Sequence, residues 1–442
     1  MSTTQDMTQA NVAARVSSDL PGFAYRAYML GLLSTIAAIS LLDRQILTIL
    51  VEPIRQELGL NDSQMGLLTG LAFALVYTLG CIPIARLADR TSRRAVISVC
   101  VTFWSLMTMA CGLAGGFWQL FLARMGVGLG EAGNSPSSQA LIADLFPAHQ
   151  RGTAMSIYLL GPPVGIALGL ALGGWALANF GWRGAFLIAG VPGLAIGPLV
   201  WFTFRDVRKG LADNAVPEVD PPALVPTLRT LLSIKTLPYL IAGGVLTSLI
   251  GMGLSGWLPA FLIRIHEIPE IEVGAKLGAA LGIGSILGHM TGGPLADWLG
   301  RRYLRAQLFI PIITTLSSAL FALAAFTGSA TGVFWLLGLQ TFASGLFAAP
   351  LFAIITTLAP PWARATASAF LLFAINLVAL GLGPAFIGVL SDILRPEFGE
   401  ESLRYAMILS LVLAAPAAFL YFMASRHYPE DFERARQRLA GE

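Results

Sequence analysis

Charge is what this chain has little of. Of its 442 residues only 12% are Asp, Glu, Lys or Arg, against roughly 25% in soluble domains, while 55% are hydrophobic. That balance excludes a water-soluble fold. Cysteine is scarce too: Cys81, Cys100 and Cys111 all sit in apolar stretches without metal-type spacing. They read as small packing residues, which excludes a disulfide framework or a thiolate site. No Ser/Lys, paired-Asp or His-rich arrangement is present, so an intramembrane enzyme is disfavoured and no metal or cofactor is expected. Residues 1–25 are polar, with no apolar run ending in a cleavage site, so the first apolar helix reads as an uncleaved insertion signal. The net charge of +3 says little about partners, and no nucleic-acid partner is expected.

What is present is a series of apolar runs of about 20 residues, the length that crosses a bilayer. They predict helices at 26–52, 62–88, 94–113, 117–145, 151–178 and 183–204, then at 236–266, 271–296, 303–326, 330–358, 363–391 and 402–424. The fold class expected is an all-α membrane protein of twelve transmembrane helices in two six-helix bundles, 26–204 and 236–424. A linker at 205–235 is rich in charge and proline, with tails at 1–25 and 425–442. Of the 28 Lys and Arg residues, 20 fall on the side of the termini, 6 on the other side and 2 inside helices. The positive-inside bias therefore places both termini in the cytoplasm, and a bacterial inner membrane and a monomer are expected.

The two bundles echo each other. Ala85-Arg86-Leu87-Ala88-Asp89-Arg90-Thr91-Ser92-Arg93-Arg94 returns 208 positions later as Gly293-Pro294-Leu295-Ala296-Asp297-Trp298-Leu299-Gly300-Arg301-Arg302. Leu145-Phe146-Pro147 with Arg151, Thr153 and Ala154 returns 213 positions later as Leu358-Ala359-Pro360 with Arg364, Thr366 and Ala367. Two echoes at nearly one spacing indicate a duplicated half, the construction of many secondary transporters. Asp89 and Asp297 stand at the turns between helices two and three and helices eight and nine. An acid there can dock on a helix N-terminus of the other half. With Arg93, Arg94, Asp144, Arg151, Arg301, Arg302 and Arg364 they form the candidate cytoplasmic gate, Asp144 as a relay to Arg93.

Four charges interrupt apolar helices: Asp43 and Arg44 in the first, Arg124 and Glu131 in the fourth. Each costs at least ~2.5–3.5 kcal/mol at membrane depth, which makes it a functional candidate. Arg124, Gly128 and Glu131 fall on one helix stripe, the glycine offering close approach to a backbone or a substrate. At about 1.5 Å per residue, Asp43 and Glu131 lie roughly 25 Å and 21 Å from the cytoplasmic helix ends. They are expected to face each other and, with Arg124, to form a proton-coupling site, since charges sharing a cavity alter each other's proton affinity. The second echo sets Leu337, Thr341 and Ser344 opposite Arg124, Gly128 and Glu131. The repeat thus builds the same packing without charge, against a purely structural role. Candidate substrate contacts are Arg44, Arg124 and Asn134 on one side and Trp257, Gln340, Phe347, Phe373 and Asn376 on the other. A cavity charged on one wall and apolar on the other suits a molecule with a head and a tail.

The paired loop segments resemble the signature of the major facilitator superfamily, although the first copy has Ala85 and Ser92 at the two glycine positions that Gly293 and Gly300 keep. Arg124-x-x-x-Gly128-x-Gly130 is similar to the fourth-helix signature of its proton-coupled members. Asp43-Arg44-Gln45, Gly126-Val127-Gly128-Leu129-Gly130-Glu131-Ala132-Gly133-Asn134-Ser135 and Leu141-Ile142-Ala143-Asp144-Leu145-Phe146 with Arg151 resemble the spinster family. That resemblance implies a proton-coupled transporter of lysophospholipids or sphingoid lipids, with protons, a small-molecule or lipid substrate and the lipid bilayer as its partners. The Asp-Arg and Gly-Glu-Ala-Gly-Asn elements are also similar to proton-coupled organic-anion symporters of sugar acids. A sensor or scaffold of this fold without transport is the alternative of another class.

Overall fold

The computed structural model describes residues 21–207 and 224–440. The described chain is helical throughout, without a strand. In chain order, α1 is Phe23–Leu58, α2 is Asp62–Thr69 with Leu71–Arg90, α3 is Arg93–Gly112 and α4 is Phe117–Ala132 with Asn134–Leu145. After Ala148–Tyr158, a run over Gly161–Thr203 holds two passes, α5 and α6. They part at Gly181, whose φ of 69° is open to glycine and strained for other residues. In the second half α7 is Thr236–Arg264, α8 is Glu270–Arg302 and α9 is Leu304–Phe326. Ala330–Gly345 with Ala348–Leu358 form α10, 364–398 forms α11 and 402–440 forms α12.

Nine candidate membrane spans stand out by length and hydropathy. Two of them, Gln150–Thr203 and Thr366–Arg438, each hold two passes, and α4 escapes because it is interrupted at Gly133. The chain therefore crosses twelve times, and its termini share one face, called here the terminal face. The outward side chains are those of a lipid-facing surface: Trp335 is 77% and Trp118 70% exposed, which water would not favour over an area this large.

The structure departs from the sequence reading at both junctions. A short helix, Leu224–Ser233, lies within the segment read as linker; residues 208–223 lie outside the described residues. Where a tail is expected from 425, α12 continues to Ala440, with Tyr428 and Asp431 buried. Asp431 explains the extension: its carboxylate accepts from the Thr236 amide at 2.8 Å and hydroxyl at 2.7 Å, capping α7 where the helix dipole favours an anion.

The halves meet most extensively along two helix pairs. α2 crosses α11 where Gly66 faces the Pro384 carbonyl, so close that a Cβ at Gly66 would stand 2.5 Å from the oxygen. α5 crosses α8 at Gly174 and Gly274. Small residues permit this approach, as is usual between membrane helices.

Candidate functional site

Three consecutive residues of α1 face three environments, because successive side chains turn by about 100° around a helix. Arg44 points toward α2 and α4. Its guanidinium bonds Glu131 Oε2 through Nε and Nη2, both at 2.8 Å, and stands over the rings of Phe73 and Tyr77 at 4.4 and 4.7 Å. Ser40, one turn earlier on α1, donates to the same carboxylate oxygen at 2.5 Å. Glu131 is buried and Arg44 keeps 20% of its side chain exposed, so the pair has one accessible member.

Asp43 turns the other way, into the first bundle. It is fully buried and accepts from Thr108 of α3 at 3.2 Å through Oδ2, while Oδ1 has no hydrogen-bond partner among the described residues. Arg124 lies in the same interior, 1% exposed, over the Phe73 ring at 5.5 Å, with Nε and Nη1 unpartnered among the described residues. The carboxylate geometrically paired with a cation is thus Glu131, and its partner is Arg44. Gly128 serves packing: a Cβ there would lie 2.6 Å from the Phe73 carbonyl, so the glycine admits the α2 backbone.

Gln45 faces a cavity of about 200 Å³ between the halves. The second half contributes Ser255 of α7, Ser285 of α8 and Gln340, Thr341 and Ser344 of α10. Leu254, Leu258 and Leu281 complete this wall, so its polar groups, none of them charged, stand among leucines. Of the expected contacts from the second half, only Gln340 lines it. Trp257 is buried and donates to the Pro384 carbonyl at 2.9 Å. Phe347 packs on Tyr421 at 6.4 Å, Phe373 is 37% exposed, and Asn376 lies in a π-helical turn of α11, Ile375–Leu380. In the first half Asn134 is buried at the α4 break and accepts from Ser138 at 3.0 Å.

At the terminal face the first loop segment binds its own half. Arg93 pairs with Asp144 of α4 and donates to the Ala140 carbonyl at 3.2 Å. Arg94 reaches Asp206 at 3.3 Å and the Phe204 carbonyl at 3.2 Å, and Arg151 holds the carbonyls of Ala143 and Phe146 at the end of α4. Ser92, standing where the signature has glycine, caps α3 by accepting from the Ala95 amide at 3.2 Å. Arg302 and Arg364 are exposed. The side chains of Asp89, Asp297 and Arg301 lie outside the described residues.

The opposite face carries a network that sequence reasoning missed. Arg264 at the end of α7 crosses to the first half, holding Asp62 through both terminal nitrogens at 2.8 and 2.9 Å and Glu52 through Nε at 2.8 Å. Ser391 of α11 donates to Asp62 at 2.7 Å. Arg55 joins Glu52 at 2.8 Å to Glu400 at 3.2 Å. Asp392 of α11 accepts from the backbone amides of Asp62 and Ser63 at 3.1 and 2.8 Å, an acid on the N-terminus of a helix in the other half. The sequence reading expects that device on the terminal face. Among the described residues, every hydrogen bond and ion pair that joins the halves belongs to this far-face set. Its signal was in the sequence: Glu52, Arg55, Asp62 and Arg264 stand at predicted helix ends, where charge is easily read as solvated.

The chain is also comparable with known proteins. The sequence pattern of the Major Facilitator Superfamily matches residues 33–324. An MFS-type efflux pump of Mycolicibacterium smegmatis is 33% identical, the match covering 92% of this chain and 94% of the pump. A probable L-galactonate transporter of Escherichia coli is 27% identical over 89% of this chain and 88% of its own. Among solved structures, a bacterial homologue of the human lysosomal transporter spinster, in an inward-facing and unoccupied conformation, superposes with a TM-score of 0.85 at 30% identity. That match covers 93% of this chain and 99% of the homologue. With its twelve passes and duplicated halves, the chain belongs to the major facilitator superfamily of transporters, and within it resembles the spinster proteins.

Proposed function

We propose that the protein is a proton-coupled secondary transporter that works by alternating access and moves an amphipathic lipid with an anionic head, such as a lysophospholipid or a sphingoid phosphate. The observation that carries this reading is the Arg44–Glu131 pair, which Ser40 supports from the same helix. Glu131 can hold either the Arg44 guanidinium or a proton. Protonation releases Arg44, whose exposed side then receives the substrate anion, so proton and anion bind together. Asp43 and Arg124 are the second proton-responsive pair, buried in the same bundle with polar atoms open to a new partner. Both termini are cytoplasmic in this reading, the protein lies in a bacterial inner membrane, and it acts as a monomer.

The far-face network supports a cytoplasm-open state. An equilibrium between two faces is biased only by contacts that differ between them, and here the described inter-half bonds hold the far face shut. The loop segments with Asp89 and Asp297 are the proposed latch of the alternate state.

The lipid reading draws on the spinster-like segments and on an apolar groove of about 480 Å³ on the outward, lipid-facing side of α8 and α10, with Ile283, Leu287, Trp335 and Leu339 along it and Lys276 at one end. A chain-bearing substrate would gain up to about 0.8 kcal/mol for each methylene buried. The sugar-acid reading is favoured by the hydroxyl and amide groups in the central cavity and by the galactonate-transporter relative. Uptake into vesicles under an imposed pH gradient, with lysolipids of increasing chain length and hexuronates as competitors, separates the two. Affinity rising with chain length supports the lipid. Competition by sugar acids alone replaces it with the symporter.

A further inference from the structure

We propose that the second half holds a chamber that binds one hydroxyl of the uncharged part of the substrate, a reading that rests on the protein being a transporter. Beyond the central cavity, and sharing Gly251, Gln340 and Ser344 with it, lies a smaller space of about 20 Å³. Thr247 of α7 and Thr314, Thr315 and Ser318 of α9 enclose it. One water needs roughly 10–15 Å³ of such space, so the chamber takes a single hydroxyl and refuses a carboxylate or phosphate group.

Its polar atoms divide into those with partners and one without. Thr315 Oγ1 bonds the Pro311 carbonyl and Thr247 Oγ1, both at 2.7 Å, and Thr247 reaches the Tyr421 hydroxyl at 3.2 Å. Ser318 donates to the Thr315 carbonyl at 2.7 Å, and Ser344 accepts from Gln340 at 3.0 Å. Thr314, 3% exposed, has no partner for Oγ1 among the described residues. A buried hydroxyl left unpaired opposes folding, and a ligand hydroxyl, which donates and accepts at once, relieves it. None of the residues lining the chamber or the central cavity is charged. The uncharged lining therefore suits the hydroxyls of a substrate, toward α9 and α10, while its anion belongs to Arg44, which the proposed function assigns to it and which stands outside this lining. The ligand class is an anion with neighbouring hydroxyls, whether the glycerol head of a lysolipid or the chain of a sugar acid.

The test measures binding to the purified full-length protein of two matched pairs, lysophosphatidylglycerol with lysophosphatidylpropanol and galactonate with hexanoate. In at least one pair the hydroxylated member is expected to bind at least tenfold tighter. Thr314→Val and Ser344→Ala each should cut that preference about three- to tenfold, the range of one net hydrogen bond, with the deoxy partner unaffected. Thr314→Ser, which keeps the hydroxyl, should retain the preference, and thermal unfolding of each variant checks that it is folded. Equal binding of both members of each pair, binding of neither hydroxylated probe, or variants that weaken both members alike would overturn the chamber. A hydroxyl preference seen only with galactonate supports the chamber and removes the lipid reading of the substrate.

Discussion

The two halves share one ancestral plan and differ in their inner walls. The first half places Asp43, Arg44, Arg124 and Glu131 at membrane depth, all but Arg44 fully buried. At the positions matching Arg124, Gly128 and Glu131 the second has Leu337, Thr341 and Ser344, two of which line an uncharged cavity. Duplication supplied the same packing twice and only one copy was given ions. A buried charge is costly in hydrocarbon, so the asymmetry implies that the charges act on something other than packing. It also implies division of labour, with ionic exchange on one side and hydrogen-bond recognition on the other. The second half sends its charge instead to the far face, where Arg264, Asp392 and Glu400 bind the first.

The largest effect is expected there. Arg264→Ala leaves Asp62 buried without its main cation and Glu52 with Arg55 alone, a loss of about 3–5 kcal/mol for a broken buried pair. It should lower thermal stability and lengthen far-face distances between spin labels on α2 and α11. Unchanged distances would mean that helix packing at Gly66 alone closes that face.

A second experiment removes the asymmetry of the walls. Glu131→Gln should reduce gradient-driven accumulation at least tenfold, and Ser344→Glu, which puts a carboxylate at the repeat-related position, should not restore it, because among the described residues no cation lines the cavity at that site. Recovery of uptake in the double variant would make the two walls interchangeable. Asp43→Asn should give a smaller loss, since that carboxylate is not in contact with a cation. Wild-type pH dependence in Asp43→Asn would reduce it to a packing residue.

The smallest effect concerns His266, which follows α7. Burial, aided by the nearby Arg404, holds its imidazole below the usual range. The fold therefore prefers the neutral ring, and stability present above about pH 6.5 should fall as acidification protonates the unfolded chain first. His266→Gln should flatten the decline in unfolding temperature between pH 7.5 and 5.5. An unchanged slope would assign the acid sensitivity to the carboxylates.

The helical class, the duplication and the buried charges were legible because each leaves a local trace: apolar runs, repeated segments, isolated ions. Which charges meet was not. Asp43 and Glu131 have similar depths, and depth suggested that they face each other. Rotation about α1 gives the two carboxylates different hydrogen-bond partners, Thr108 for Asp43 and Arg44 for Glu131, within one buried group of charges. The polar chamber was missed for a related reason. Thr314, Thr315, Ser317 and Ser318 form a hydroxyl-rich run in α9, but each hydroxyl in a membrane helix can bond its own backbone, as Ser317 does, so the run alone points to no ligand. Trp257, read as a cavity residue, is buried because its indole satisfies the Pro384 carbonyl.

The most direct test of the central claim compares wild type and Glu131→Gln in vesicles, measuring substrate accumulation at several imposed pH gradients alongside substrate exchange without one. The account predicts that wild type accumulates in proportion to the gradient, whereas the variant still exchanges substrate but no longer responds to it. Accumulation by Glu131→Gln with the wild-type pH dependence would contradict the assignment of the Arg44–Glu131 pair as the coupling site.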